Sequence, residues 1–305
     1  MTDYKEILRL KNLGFSNNEV AAAVKCGRNT VISVDKGRSE KAVTVQLHPR
    51  RRVLQEGQVM LTNPTVTKLH EMRLSAMASA FKKQLEDAAM NELSFEDRFS
   101  LLVDAEWSTR KSNLLARLRK KAGYAIPGAC IEDISYSADR QLDKAQILRL
   151  ASCSYIQNAN NVIILGATGT GKTYLACALG NAANRNYYET KYIRLPDLLV
   201  EIALSRSDGT YRDVMKKYKK PRVLILDEWL LYPLKETEAR DLLEIIEARN
   251  QAASTIFCSQ FDIPGWHEYL YDPTLADAIC DRIIHNSHII TIKGHSMRKL
   301  NAVTD

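Results

Sequence analysis

The chain has 305 residues, room for about two domains, and its 45% hydrophobic and 26% charged residues are ordinary for a globular protein. No apolar run approaches the ~18 residues that span a bilayer, and the N-terminus lacks a signal-peptide core, so we expect a cytoplasmic protein without a membrane partner. The net charge is +7, and the six cysteines stand more than 20 positions apart, which excludes a zinc site of the CxxC type.

Residues 1–34 have the pattern of a compact helical unit. A first amphipathic stretch ends at Gly14, and Ser16 is a candidate N-cap for a helix over Asn17–Val24. A short glycine-containing turn and the start of another helix follow, which is typical of a helix-turn-helix. The residues expected to face DNA bases or phosphates are Arg28, Asn29 and Thr30.

Residues 35–66 have the composition of a linker, because Gly, Pro and a basic run at 50–52 interrupt any regular period. Residues 67–155 are predicted to form a helical domain that binds DNA or mediates oligomerisation, with Ser94 capping a long helix that begins at Phe95. Between Glu106 and Glu132 the sequence has no acidic residue, and six cations fall in this stretch, namely Arg110, Lys111, Arg117, Arg119, Lys120 and Lys121. They suit a phosphate backbone, although cations at a helix C-terminus also complement the helix dipole.

The excess positive charge lies ahead of residue 156. Residues 1–59 hold 11 Lys and Arg against 6 Asp and Glu, residues 60–155 hold 14 against 12, and residues 156–305 hold 18 of each. A basic region joined to a neutral one favours a polyanionic partner, most simply double-stranded DNA. A solvated charged face is the alternative.

Strands alternate with helices in residues 156–305, which predicts an α/β domain whose parallel sheet has helices on both faces. The runs expected as strands are 162–165, 191–195, 223–226, 254–258 and 288–292. The predicted domains are therefore a helix-turn-helix-like segment (1–34), a linker (35–66), a helical domain (67–155) and a nucleotide-binding domain (156–305).

The most specific motif is GATGTGKT, which follows the first of these strands and precedes a helical pattern. It matches the phosphate-binding loop G-x-x-x-x-G-K-[ST]. The glycines let backbone amides turn toward phosphate oxygens, Lys172 can reach the β- and γ-phosphates, and the Thr173 hydroxyl can ligate Mg²⁺. The residues assigned to nucleotide binding are Gly166, Ala167, Thr168, Gly169, Thr170, Gly171, Lys172 and Thr173.

The third strand ends in two carboxylates, Asp227 and Glu228. Parallel strands present their carboxyl ends at the edge of the sheet where ligands bind, so these residues should lie near the phosphate loop. Asp227 is expected to hold Mg²⁺, through water, and Glu228 to orient and deprotonate the attacking water. The sequence therefore predicts an ATPase-type hydrolysis site.

Two further positions are candidates for sensing the γ-phosphate. The fourth strand ends in Ser259 and Gln260, where a polar group would lie between the loop and the carboxylates. Arg282 lies on a predicted helix and could reach the γ-phosphate of a neighbouring subunit. An ion pair with Asp277 or Asp281 is the alternative for Arg282.

The motifs GATGTGKTYLA, VLILDE, STIFCSQ, TLADAICDRIIHNS and GHSMRK, in this order, resemble the IstB family of ATP-dependent transposition helper proteins. That family belongs to the AAA+ superfamily of P-loop ATPases, near the DnaC and DnaI helicase loaders. The likeness covers roughly residues 60–300, and Met60 stands where such a protein would start.

The resemblance implies roles for individual residues. Lys172 and Thr173 would bind ATP and Mg²⁺, and the pair at 227–228 would carry out hydrolysis. The first sensor would be Ser259 or Gln260, the trans-acting arginine would be Arg282, and a second sensor would be Arg298. Two positions depart from the family pattern: Tyr174 replaces a common His, and Trp229 replaces a common Leu or Gly.

Residues 1–34 resemble a different protein, the N-terminal helix-turn-helix of an IstA-type transposase. The chain has no room for that transposase's catalytic domain, which suggests a fusion or a variant element. The leading hypothesis is a DNA-binding ATPase that self-associates on target DNA and recruits or activates an IstA-type transposase. A helicase loader and a non-catalytic DNA-binding remnant that acts as a competitor are the alternatives.

Overall fold

The computed structural model describes residues 17–23, 64–294 and 296–297. The described helices and strands are α1 (Asn17–Ala23), α2 (64–71), α3 (Ser75–Glu86), α4 (Phe95–Ala122), α5 (Lys144–Ala151), α6 (Ser154–Gln157), β1 (Asn161–Gly166), α7 (Lys172–Arg185), β2 (Thr190–Arg194), α8 (Leu195–Ser207), α9 (Tyr211–Lys219), β3 (Val223–Trp229), α10 (Glu236–Arg249), β4 (Ser254–Ser259), α11 (Pro273–Ile284) and β5 (Ser287–Ile292). Short 3₁₀ helices are present at Ala88–Glu92, Ala138–Arg140 and Pro264–Tyr269. The chain divides into two compact units, Met1–Glu106 and Trp107–Asp305.

In the first unit, a hydroxyl group and a carboxylate accept hydrogen bonds from the backbone amides at the starts of two helices, α4 and α3. The predicted N-cap of α4 is confirmed, since the Ser94 hydroxyl accepts a hydrogen bond of 3.1 Å from the Asp97 amide. The nearly buried Glu106 carboxylate accepts hydrogen bonds from the amides of Ala76 (3.0 Å) and Met77 (3.1 Å) at the start of α3. These amides have no partner within their own helix, so the carboxylate stabilises α3 and ties it to α4.

The second unit is built on a five-stranded sheet in the order β2-β3-β4-β1-β5, with every neighbouring pair parallel. The predicted parallel α/β fold and its five strands are confirmed. Because β4 lies between β1 and β3, the residue after β4 lies between the loop that follows β1 and the carboxylates that end β3. The fold thus brings three separate sequence motifs to one edge of the sheet.

Both faces of the sheet are buried, because successive residues of a strand point to opposite sides. Val162 and Ile164 pack in one apolar layer with α7, and Ile163 packs in the other with α10 and α11. All three side chains are fully buried. The strand that leads into the phosphate loop is therefore held from both sides.

Residues 122–156 also contribute to the layer that contains α7. Ala122, Ile147 and Ile156 are fully buried in it. Tyr124 joins them and donates a hydrogen bond of 2.8 Å to the Asn184 side chain, and burial raises the pKa of this tyrosine. The boundaries of the four predicted domains stay predictions, and the structure adds that residues 122–156 pack on the α/β core.

In the described part of the chain, none of the helices is both long and apolar enough to cross a membrane. Helix α1 falls within the predicted helix at 17–24. Outside the described residues lie the predicted DNA contacts of the helix-turn-helix, residues 28–30, and the second-sensor candidate Arg298.

Candidate nucleotide site

The phosphate loop connects β1 to α7 through a backbone that requires glycine at two positions. Gly169 and Gly171 have φ values of +83° and +96°, in the region that side chains disfavour. A Cβ on Gly169 would stand 2.2 Å from the Ser296 Oγ, and one on Gly171 would stand 3.0 Å from an Arg140 nitrogen. The loop ends at the N-terminus of α7, whose free amides and positive dipole end suit a phosphate group.

The Lys172 ammonium lies against the loop. It donates hydrogen bonds to the carbonyl oxygens of Gly166 (2.7 Å) and Ala167 (2.9 Å). These contacts place a positive charge beside the amides of the loop, where phosphate oxygens would be bound.

The residue after the lysine reaches one of the predicted carboxylates. The Thr173 hydroxyl donates a hydrogen bond of 2.7 Å to the Asp227 Oδ2. The Tyr192 hydroxyl, on the neighbouring strand β2, donates to the same oxygen at 2.8 Å. Asp227 is 4% exposed, and burial together with this carboxylate raises the pKa of Tyr192. Sequence reasoning missed Tyr192, because only the register of β2 against β3 reveals it.

A β-bulge presents the second carboxylate. Leu226 pairs with Phe257 and Trp229 with Ser259, so β3 contains one residue more than β4 between these two pairs. Glu228 lies in this irregular stretch with φ +53°, and its side chain is only partly buried. The Arg194 guanidinium lies 3.9 Å from the Glu228 carboxylate. The bulge therefore separates a buried Asp from an accessible Glu.

The two polar residues at the end of β4 have different surroundings. The Ser259 hydroxyl is fully buried and accepts hydrogen bonds from the Phe261 amide (3.1 Å) and the Trp266 indole (3.2 Å). Gln260 is exposed, and its Oε1 accepts a hydrogen bond of 2.6 Å from the Thr168 hydroxyl in the phosphate loop. Of these two candidates, Gln260 is the one whose side chain contacts the loop.

A buried arginine supports the loop from behind. Arg140 is 8% exposed and donates hydrogen bonds of 2.8 Å to the carbonyl oxygens of Ser135 and Thr170. Its own carbonyl accepts a hydrogen bond of 3.1 Å from the Lys293 amide, and burial lowers the pKa of its guanidinium. No local sequence pattern marks this residue, since its role depends on tertiary contacts.

Arg282 has an ion-pair partner on the neighbouring helix α10. Its guanidinium donates to the Ala278 carbonyl (2.8 Å) and lies 3.3 Å from the Glu247 carboxylate on α10. The alternative of an ion pair with Asp277 or Asp281 was wrong in its partners, because α10 supplies the Glu247 carboxylate, while Asp277 and Asp281 lie beside His267 and His285. The side chain is 30% exposed.

Cations of the C-terminal half of α4 lie on the second unit. The Lys111 ammonium lies 4.1 Å from the ring centre of Tyr187 and 5.4 Å from that of Trp107. Lys121 forms an ion pair of 2.6 Å with Glu189. The other DNA-contact candidates on this helix are exposed, namely Arg110, Arg117, Arg119 and Lys120. Four of the six candidates therefore lie in the last two turns of α4 with exposed side chains, and of these four Lys121 is paired with Glu189.

Comparison with known proteins shows the family to which the chain belongs. A family model described as IstB-like ATP binding protein matches residues 67–304. The chain belongs to this family. The insertion sequence ATP-binding protein y4pL of Sinorhizobium fredii is 41% identical over 243 residues, which make up 79% of this chain and 98% of that protein. The ATP-binding protein of insertion sequence IS1162 from Pseudomonas fluorescens is 41% identical over 201 residues, 66% of this chain and 87% of that protein.

A solved structure of the DnaI protein also resembles this chain, with a TM-score of 0.49, 23% sequence identity, and coverage of 54% of this chain and 92% of that one. Residues 1–66 lie outside the IstB-like match. The resemblance of residues 1–34 to a transposase N-terminus stays a prediction.

The two departures from the IstB-like pattern are both accommodated by packing. The Tyr174 hydroxyl accepts a hydrogen bond of 3.3 Å from the Cys130 amide. Trp229 is 1% exposed and makes edge contacts with Phe257 (4.7 Å between ring centres) and Trp266 (5.6 Å). Neither departure removes a group that is assigned to nucleotide binding or hydrolysis.

Proposed function

We propose that this IstB-like chain hydrolyses ATP, binds double-stranded DNA, and assembles on target DNA to recruit or activate the transposase of an insertion sequence. The observation that carries the ATPase proposal is the hydrogen bond between Thr173 and Asp227, which joins the phosphate loop to the end of β3. Glu228 follows immediately on an accessible bulge. This arrangement supplies every group that P-loop hydrolysis of ATP requires from one subunit.

The donor set at this position fits Mg²⁺. Mg²⁺ favours oxygen ligands, and in nucleotide sites one or two protein groups hold it together with phosphate oxygens and water. The Thr173 hydroxyl and the Asp227 carboxylate provide such oxygens at 2.7 Å from each other. When bound, the ion would neutralise charge on the β- and γ-phosphates.

The side chains around this pair have separate tasks in the proposed reaction. Lys172 and the loop amides bind the phosphates. Glu228 accepts a proton from water as the water oxygen bonds to the γ-phosphorus, and the bond from that phosphorus to the bridging oxygen of ADP breaks. Gln260, in contact with the loop through Thr168, is suited to report whether the γ-phosphate is present.

Assembly and transposition are supported by other observations. Arg282 is partly exposed on α11, and we propose that it reaches the γ-phosphate of a neighbouring subunit, so that ATP holds subunits together and hydrolysis releases them. Curated relatives named for insertion sequences favour a transposition role over helicase loading. The excess of basic residues ahead of residue 156 supports DNA as the platform.

Replacement of Glu228 by Gln tests the proposal. We expect Glu228→Gln to lower ATP turnover by about 100-fold or more, since a general base contributes about that much, and to lengthen the lifetime of complexes with DNA. Glu268→Gln, at an exposed glutamate that is not among the residues assigned to nucleotide binding or hydrolysis, is the control and should change neither. Unchanged turnover and unchanged complex lifetime in Glu228→Gln would show that the proposed mechanism is wrong.

A further inference from the structure

A groove of about 400 Å³ beside the first residues of β2 is lined by lysines from three elements. These are Lys121 at the end of α4, Lys191 on β2, and Lys216, Lys217 and Lys220 at the C-terminal end of α9. Glu189 and Asp213 also contribute to the lining. The lysines outnumber the carboxylates, so this lysine groove is a concentrated positive site outside the nucleotide-binding edge.

Only part of this charge is neutralised within the described residues. Lys121 pairs with Glu189 and Lys217 pairs with Glu201, each at 2.6 Å. In the same described part of the chain, the Lys191 ammonium has no recorded hydrogen bond or ion pair, although its side chain is half-buried. Burial, followed by the nearby Lys217 ammonium, lowers the pKa of Lys191 against the opposing effect of Glu201. A half-buried cation among like charges is unfavourable by itself, and a bound anion would reverse this cost.

The dipole of α9 does not account for its lysines. Lysines in the last turn of a helix commonly complement free carbonyl groups. Here the carbonyl oxygens of Tyr218 (3.1 Å), Lys219 (3.2 Å) and Pro221 (2.8 Å) already accept hydrogen bonds from the guanidinium of Arg249. Arg249 is 2% exposed, and burial lowers its pKa to about 9. A buried cation therefore satisfies this helix end, and the surface lysines are available to a ligand.

The position and extent of the lysine groove indicate what the ligand is. All strands are parallel, so the start of β2 lies at the opposite edge of the sheet from the phosphate loop, which follows the end of β1. The groove is therefore separate from the ATP site of the same subunit. Its lysines come from several elements, and further exposed cations precede Lys121 on α4, namely Arg117, Arg119 and Lys120. Such a spread suits successive phosphates of one long polyanion better than a single phosphate.

We propose that the lysine groove, together with the end of α4, holds the phosphate backbone of DNA. This inference rests on the proposed DNA-binding function and assigns it a surface on the α/β unit. The contacts are to phosphates and carry no base specificity, so they position the DNA and do not select its sequence.

Binding of a fluorescently labelled DNA duplex of arbitrary sequence, measured over a range of salt concentrations, tests the inference. The groove variant is Lys191→Gln/Lys216→Gln/Lys220→Gln. If each lysine contacts one phosphate, the slope of log affinity against log salt should become shallower by about 2 to 3, and affinity should fall about tenfold or more. ATP turnover without DNA should stay unchanged, because the groove lies away from the phosphate loop.

A charge-matched control separates local contact from a change in net charge. Lys144→Gln/Arg149→Gln/Arg240→Gln removes the same number of cations from exposed positions elsewhere on this unit and should retain the wild-type slope. The same three groove lysines changed to Arg should retain binding, because arginine also contacts phosphate oxygens. The unchanged ATP turnover of the Gln variant excludes a folding defect as the cause of its weaker binding.

The outcomes distinguish this inference from the proposed function. An equal loss in the groove variant and the control, or a groove variant that keeps the wild-type slope, would overturn the groove assignment while DNA binding stands. Failure of the wild-type chain to bind the duplex would overturn the DNA-binding proposal and the groove with it.

Discussion

Thr173 and Asp227 are joined by a hydrogen bond of 2.7 Å although the two residues lie 54 positions apart in the chain. The Asp227 oxygen that accepts this bond also accepts one from Tyr192. Two hydroxyl groups thus orient one carboxylate.

Removal of the Tyr192 hydroxyl should weaken the use of Mg²⁺. Outer partners of a metal-binding carboxylate typically contribute 10–100-fold to metal affinity, so Tyr192→Phe should raise the Mg²⁺ concentration for half-maximal ATP turnover about tenfold. Tyr218→Phe is the matched control, since it also removes a hydroxyl-to-carboxylate hydrogen bond, to Glu201, away from the loop. Equal Mg²⁺ requirements in the two variants would mean that Tyr192 has only a structural role.

Ser259, the last residue of β4, should have a structural role, and Gln260, the next residue, should have a functional role. Ser259→Ala leaves the buried Phe261 amide without its acceptor and removes one of the two acceptors of the Trp266 indole, the other being the Phe261 carbonyl. It should therefore lower the free energy of unfolding by about 1–3 kcal/mol. Gln260→Ala should change stability by less than about 0.5 kcal/mol and lower ATP turnover by about tenfold or more. Thermal unfolding and turnover measured on both variants check this, and the reverse pattern would make Ser259 the sensor.

Arg140→Lys should weaken ATP binding without removing a charge. Lysine cannot reproduce the guanidinium fork that reaches the carbonyl oxygens of Ser135 and Thr170, so the loop should lose its support. We expect a several-fold weaker affinity for a non-hydrolysable ATP analogue. Arg185→Lys, at an exposed ion pair with Glu132, should keep the wild-type affinity. A lower melting temperature with unchanged affinity would assign Arg140 to stability alone.

The buried thiol of Cys177 should make stability depend on alkaline pH. Burial raises the pKa of this thiol from 9.0 to about 11. The folded state therefore retains the proton where the unfolded state loses it, and the free energy of unfolding should fall as pH rises from about 9 to about 11. The contribution is up to about 2–3 kcal/mol, given ~1.4 kcal/mol for each pH unit of difference.

Denaturant unfolding across this pH range measures the effect. Cys177→Ala should show a shallower decline than the wild type, because the variant lacks a thiol whose pKa differs between the folded and unfolded states. Identical pH dependence in the Cys177 variant and the wild type would contradict the assignment.

Arg282→Ala should abolish the growth in particle size that ATP induces on DNA. Glu247→Gln removes the ion-pair partner of Arg282 and leaves the arginine in place, so it should preserve assembly. Light scattering or analytical ultracentrifugation with DNA plus ATP, against DNA alone, compares the variants. Loss of assembly in both variants would indicate that the ion pair itself is required. Assembly that depends on neither ATP nor Arg282 would contradict the proposal that ATP holds the subunits together and hydrolysis releases them.

The elements of the α/β unit could be predicted because each strand is a short apolar run, and the loop could be located because its residue spacing is specific. The adjacency of Asp227 and Glu228 was also visible in the sequence. Their different exposure was not, because it arises from a bulge that depends on pairing between β3 and β4.

Partners from distant elements could not be predicted. Tyr192 meets Asp227 through strand register, Arg140 meets the loop through a tertiary contact, and the carboxylate beside Arg282 comes from a neighbouring helix. In each case the contact depends on which elements are adjacent in space, and no local pattern encodes that adjacency.

The close approach of Ser296 to Gly169 affects how loop substitutions should be interpreted. The Met297 amide donates a hydrogen bond of 2.9 Å to the Gly169 carbonyl, so this segment is attached to the loop by its backbone as well. A methyl group at Gly169 would strain the loop and also displace residues 296–297. Defective nucleotide binding in a Gly169→Ala protein would therefore have two inseparable causes, and lysine or threonine substitutions are cleaner probes of the phosphate contacts.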